Sequence, residues 1–247
     1  MGVITIGKLL NTANLILEDI SNLIVRSSPP MGGPGRLRVS LLLTIAEQFE
    51  AVIRLAQAKM CTHATTHARS MIEALVAMKM LEFDSDYIDK MRYEKLRGER
   101  RVYEGILATP DIPDDQKTAI KDRYDICVSD CDAFRSAGYK PKVIANDIGT
   151  AGLSHLAGPY SMLCAFSHND LAILAFRHQG ENSMVYKQGD TPEIVQAVIS
   201  TALMVVMDAT NQFGSIAKFP DGHFDAIFSA MNMKWEVILG SQIESDQ

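Results

Sequence analysis

Three stretches of this chain, residues 4–25, 36–60 and 63–83, set their apolar side chains at steps of three and four. No other feature restricts the fold as much. That spacing is the period of a helix with a buried face, whereas a half-buried strand alternates by two. The first stretch carries Leu9, Leu10, Leu15, Ile16, Ile20 and Ile24 along its stripe. Between the first two lies SSPPMGGPG at 27–35, whose Pro and Gly break the pattern. No Lys-Ser or Lys-Thr pair follows those glycines, so the segment is expected to be a flexible loop and not a phosphate-binding P-loop.

The rest of the chain follows the same rule. Asp84 or Ser85 can cap a fourth helix running to about residue 108. PDIPDD then interrupts the chain before a charged fifth helix at 114–136, closed by Gly138. A mixed segment, KPKVIANDIGTAGLSHL, leads into a helix expected at 158–178, with Pro159 in its first turn. In GENSMVYKQGD, turn residues flank a short apolar run, which predicts at most one β-hairpin near 183–190. Thr191 and Pro192 start a helix reaching about residue 219, and Phe224, Ile227, Phe228, Met231 and Trp235 mark the stripe of a last one. No period of 20–50 residues recurs, which argues against a solenoid. The expected fold class is all-α, a multi-helix bundle of about eight or nine helices. It reads as a single domain over 1–247, with an N-terminal helix and loop at 1–35, a core bundle at 36–219 and a C-terminal helix and tail at 220–247.

Composition narrows the function classes. A chain of 247 residues that is 47% hydrophobic and 22% charged is globular and long enough to bury a sizeable core. Thirteen methionines against 7% aromatic residues predict an aliphatic core softened by Met. A net charge of −6 argues against general affinity for nucleic acid. The basic run KMRYEKLRGERR, with Arg92, Lys95, Arg97, Arg100 and Arg101, is interrupted by Glu94 and Glu99. It reads first as a solvated helix face, while leaving contact with an RNA backbone open. Cys61, Cys127, Cys131 and Cys164 form no CxxC pair, and no signal peptide is apparent, so a reducing cytoplasm is expected. Uninterrupted apolar runs near 171–176 and 202–207 fall short of the roughly 20 residues a bilayer needs. Ile6 stands where a myristoylation signal would have Ser or Thr, so no membrane partner is expected.

Two segments carry chemistry. In HATTHARSMIEALVAMKML, Arg69 and Glu73 are four apart and share a helix face, as do His63 and His67 on another. Both faces continue into apolar residues, so this helix is expected to be buried nearly all round, with Arg69 and Glu73 facing a polar seam. In YSMLCAFSHND, stepping by three or four from Tyr160 reaches Cys164 and then Ser167 or His168. A phenol, a hydroxyl and an imidazole on an apolar helix need hydrogen-bond partners, and Arg69 with Glu73 can supply them.

ARSMIEA at 68–74 followed by YSMLCAFSH at 160–168 resembles a family of bacterial helical proteins known as a domain of unknown function. Its members show an Arg-Ser-apolar-apolar-Glu helix and, later, a Tyr followed by Ser-His. The resemblance spans most of 40–215, implies no established activity and nominates Arg69, Glu73, Tyr160, Ser167 and His168. The chain also has the look of helical ribonucleases of the HEPN type, but their Arg four to six residues ahead of a His is missing, since MLCAFS precedes His168.

Two readings follow. In the first, a small anionic or nucleotide-like ligand sits on Arg69 with Tyr160 and Ser167. His168 acts there as general acid or base, and Glu73 orients Arg69. In the second, the five residues form a satisfied buried network in an interaction or defence-associated module with no catalysis. The His63–His67 pair, close to Cys61, has the spacing of helical metal ligands, yet HExxH is absent and no further ligand is fixed, so no metal or cofactor is assigned. Cys164 lies four before His168, a separation that rarely aligns a thiolate with its base. The Phe224-to-Trp235 stripe reads as core, with a homodimer contact as the alternative.

Overall fold

The structure, a computed structural model, describes residues 2–168, 170–186, 190–239 and 241–244. Its helices are α1 (Ile6–Arg26), α2 (Gly33–Gln57), α3 (Cys61–Phe83), α4 (Tyr87–Leu107), α5 (Asp114–Ser136), α6 (Ile144–Thr150), α7 (Ala157–Ser167), α8 (Leu171–His178), α9 (Pro192–Ile216) and α10 (His223–Leu239). A single 3-10 turn at Ser154–Leu156 precedes α7. The fold class is all-α, as the spacing predicts.

Ten helices among the described residues exceed the expected eight or nine for two reasons. The mixed segment before residue 157 contains the short α6. The helix expected at 158–178 is two helices. His168 is the C-cap of α7, at φ −99° and ψ 9°, and Asp170 is the N-cap of α8, its carboxylate accepting from the Ala172 N–H at 2.9 Å. A carboxylate one position before a helix satisfies an orphan N–H there better than it could mid-helix. The SHND segment is therefore a joint between helices; Asn169 itself lies outside the described residues.

Of the hairpin expected near 183–190, the described residues retain one bridge, Gln179 with Met184, while 187–189 lie outside them. Strands occur elsewhere: β1 (Gly2–Thr5) and β2 (Ser241–Glu244) pair in parallel with Gly2 opposite Ser241. Four-residue strands separated by nearly the whole chain leave no alternation long enough to read.

The chain divides into two compact units, Met1–Met80 with Ala145–Gln247, and Leu81–Ile144. In the first, α9 packs against α1, α2 and α10. It buries thirteen of its 25 residues, among them Val198, Ile199, Leu203 and Phe213, opposite a core that includes Phe49 and Leu42. Counting only uninterrupted runs understates α9. Among the described residues it is the one helix long and apolar enough to cross a membrane, yet 61% of that window is buried inside the protein. A row of rings, Phe213, Phe219, Phe224 and Phe228, links α9 to α10 at centroid spacings of 5.1, 5.1 and 5.4 Å. Gly214 makes room for it, since a Cβ there would come 2.4 Å from the Phe224 ring. Met231 and Trp235 are buried, the core role expected for that stripe.

The second unit is a hairpin of α4 and α5. Only Tyr87 and Tyr93 on α4, and Cys127 and Cys131 on α5, are buried along its helices. α5 ends where predicted: Gly138 takes φ +93°, and the N–H groups of Gly138 and Tyr139 close on the Arg135 and Phe134 carbonyls. Tyr93 then stacks with Phe134 at 5.9 Å, and Phe134 meets Tyr139 edge to face at 5.2 Å.

Candidate functional site

Helix α3 provides the rigid half of the site. Its first N–H groups, on Cys61 and Thr62, are satisfied from far along the chain by the two carboxylate oxygens of Asp190, at 2.5 and 3.1 Å. Burial, together with that carboxylate, pushes the Cys61 thiol up to about 12, so it is a neutral packing group. The helix is not buried nearly all round, as its apolar flanks suggested. Met71, Ile72, Leu75 and Met78 are in the core, but Thr66, Arg69, Ser70 and Glu73 keep a stripe partly open to solvent.

Helix α7 meets that stripe. The Arg69 Nε donates to Glu73 Oε1 at 2.9 Å, one helical turn away. The Tyr160 hydroxyl donates to the same Oε1 at 3.0 Å, and the guanidinium lies 5.8 Å from the Tyr160 ring centroid. At the C-cap of α7, His168 Nε2 lies 3.1 Å from Arg69 Nη1. A guanidinium can only donate, so this ring nitrogen accepts, and the imidazole is neutral with its proton on Nδ1. Farther on, Arg177 Nη2 of α8 donates to His63 Nε2 at 2.9 Å. Tyr160 to Glu73, His168 to Arg69 and Arg177 to His63 thus run in opposite senses along the two segments, so α7–α8 lies antiparallel to α3.

The cluster is part open. The Arg69 and Glu73 side chains are 26% and 34% exposed, and His168 is exposed. Burial raises the Tyr160 phenol, and the charge and hydrogen bond of Glu73 raise it further. Burial pulls the Arg69 guanidinium down, but the hydrogen bond and charge of Glu73, with smaller contributions from Tyr160 and Cys164, lift it above its ordinary value. Arg69 therefore stays a fixed cation, and Tyr160 stays a donor well into alkaline pH.

The structure brings together Arg69, Glu73, Tyr160 and His168. Ser167 is turned elsewhere, its hydroxyl donating to the Leu163 carbonyl at 2.8 Å. The two histidines of α3 reach different partners, His63 to Arg177 and His67 Nδ1 to Gln48 Oε1 at 2.5 Å. Sequence reasoning missed Arg177 and Asp190. Arg177 is a last-turn cation of α8, and Asp190 lies between Gly189 and Thr191 in the sequence; neither position hints at a partner more than a hundred residues away. Chemically, the arrangement offers a fixed cation and a neutral imidazole side by side at the surface, with a carboxylate and a phenol holding the cation still.

An all-α chain with an Arg-Glu pair on one helix clamped by a Tyr and a His from another is the class this geometry defines. Residues 37–184 match DUF5677, a family of unknown function, and the chain belongs to that family. No curated protein and no solved structure matches the chain.

Proposed function

We propose that the cluster binds a small anionic or nucleotide-like ligand, with Arg69 as its anchor and His168 as the group that moves a proton in a hydrolytic step. The observation that carries this reading is the 3.1 Å approach of Arg69 Nη1 to an exposed His168. Glu73 occupies Nε, so an oxyanion enters on the side that carries Nη1, where a guanidinium offers parallel N–H donors. Replacing the histidine there leaves the ring beside the bound anion, within reach of a proton transfer. Tyr160 and Glu73 act as positioning residues, and Ser167 has no assigned role. All four cysteines are free, which is in keeping with a reducing setting such as a cytoplasm.

One observation favours the rival reading of an interaction module whose cluster is only structural: Arg69, Glu73, Tyr160 and His168 already satisfy one another. Thermal shift with inorganic phosphate, AMP and a dicarboxylate separates the two, alongside hydrolysis assays on p-nitrophenyl phosphate and bis-p-nitrophenyl phosphate. Stabilisation that vanishes in Arg69→Ala supports the ligand site. Turnover lost in His168→Ala, with stabilisation retained, supports the hydrolytic role. A flat response across both panels leaves the structural reading standing.

A further inference from the structure

The α4–α5 hairpin carries a second feature that the site on α3 does not use. A cavity of about 250 Å³ opens between the two helices, lined by Arg97, Arg100 and Arg101 of α4 and Arg135 of α5, with Tyr93 and Cys131 also on its wall. Two carboxylates, Glu104 and Asp132, complete the lining. Four guanidinium groups face these two carboxylates and Glu94, which pairs with Arg97 from outside the lining, so a small local excess of positive charge remains in a chain whose net charge is −6. Sequence reading placed three of these arginines in a run on one helix; the fold adds Arg135 from the facing helix, and that convergence turns a charged face into a concave pocket.

Each arginine keeps donors in reserve. Arg97 uses Nη1 on Glu94 at 2.7 Å, Arg100 uses Nε on Glu104 at 2.8 Å, and Arg135 uses Nη2 on Asp132 at 2.9 Å. A guanidinium has five N–H donors, so each of these pairs fixes the group without exhausting it. Arg101 has no carboxylate partner among the described residues and bonds only the Arg97 carbonyl, at 3.4 Å. Arg97 is held further by the Tyr93 ring, 5.9 Å below it. The volume lies below the roughly 300–1,000 Å³ of pockets that engulf drug-sized molecules, so it suits a small oxyanion or one charged group of a larger ligand.

We infer that the α4–α5 pocket is a phosphate-binding site in which Arg97, Arg100, Arg101 and Arg135 converge on one phosphate or pyrophosphate group. The source of that group is a free phosphate compound or the backbone of a nucleic acid, and salt weakens either interaction. The site is independent of Arg69 and stands or falls separately from the reading above.

The test is calorimetric titration of the full chain at low salt with inorganic pyrophosphate and, separately, with a short single-stranded RNA. Wild type, Arg101→Gln, the double variant Arg101→Gln with Arg135→Gln, and Arg69→Ala are compared. Arg101→Gln removes no ion pair, so it folds as wild type, which circular dichroism checks. The inference expects affinity about tenfold weaker in Arg101→Gln, lower still in the double variant, and unchanged in Arg69→Ala. Binding of pyrophosphate assigns the pocket to free phosphate compounds; binding of RNA alone, with the same loss in the variants, assigns it to a nucleic-acid backbone. No binding of either probe overturns the inference, as does binding that the arginine variants leave intact.

Discussion

Arg69 and Arg100 make the same bond in different settings. Each donates Nε to a glutamate four residues on, at 2.9 and 2.8 Å. Around Arg100, the added partner comes from the neighbouring helix of the hairpin, with the Tyr124 hydroxyl donating to Glu104 at 3.2 Å, and the pair is the more open of the two, 37% and 43% exposed. Around Arg69, Tyr160 and His168 arrive from about ninety and a hundred residues away and cover the pair in part. An Arg-to-Glu step of four is thus an open pair on the wall of the hairpin pocket in one place and the anchor of a tertiary joint in the other. The pair itself does not decide which; what packs over it does.

The sharpest way to break this contrast is to remove the two glutamates. Glu73→Ala strips both Arg69 and Tyr160 of their acceptor and is expected to cost about 2 kcal/mol, a fall of about 4–8 °C in Tm. Glu104→Gln is expected to leave the thermal midpoint unchanged within error, because its bonds are exposed. Equal losses in the two variants would erase the distinction.

Asp190→Ala tests the other long-range contact on α3. It uncovers the Cys61 and Thr62 N–H groups and should cost about 1 kcal/mol in a denaturant melt. Tyr160→Phe removes one hydroxyl from Glu73 and is expected to cost about 1 kcal/mol at neutral pH. It should also change the alkaline limb. The folded phenol ionises above its ordinary value near 10, so the unfolded chain releases its proton first and stability falls as pH rises past that value. Melts from pH 9 to 11 should show a shallower fall in Tyr160→Phe than in wild type. Cys61 adds to the same limb from pH 9 toward 12, and Cys61→Ala should flatten its share. Asp170→Ala uncaps only the short α8 and should cost less than these, about 0.5 kcal/mol in the global melt.

The comparison also marks what a sequence discloses. Helices α1 to α5, α9 and α10 were legible because each keeps a three-and-four stripe for more than four turns, and Gly138 and Pro192 punctuate their ends. The joint at 168–170 was not, because an apolar stripe runs on both sides of it and the capping role of Asp170 shows only once the break is known. For the candidate site, residue types and helix faces named Arg69, Glu73, Tyr160 and His168 as groups in need of partners. Their meeting depended on α7 lying antiparallel to α3, which no local pattern encodes. Ser167 illustrates the limit: a hydroxyl at the end of a helix has a carbonyl one turn back within reach, and that bond turned it from the cluster.

The joint also divides the molecule by how firmly its parts are held. α7 buries Leu163 alone and α8 buries nothing, with Leu171 82% exposed, whereas α9 is core along most of its length. Amide protons of α8 should therefore exchange with solvent through small local openings, while those of α9 wait for the whole unit to unfold. His168 sits at the joint beside α8 and Arg69 on α3, whose inner face is core, so their contact is expected to open more readily than the unit unfolds. A ligand bridging the two would act as a latch, and its occupancy would be written in the exchange rates of 160–178 before any other property of the protein changed.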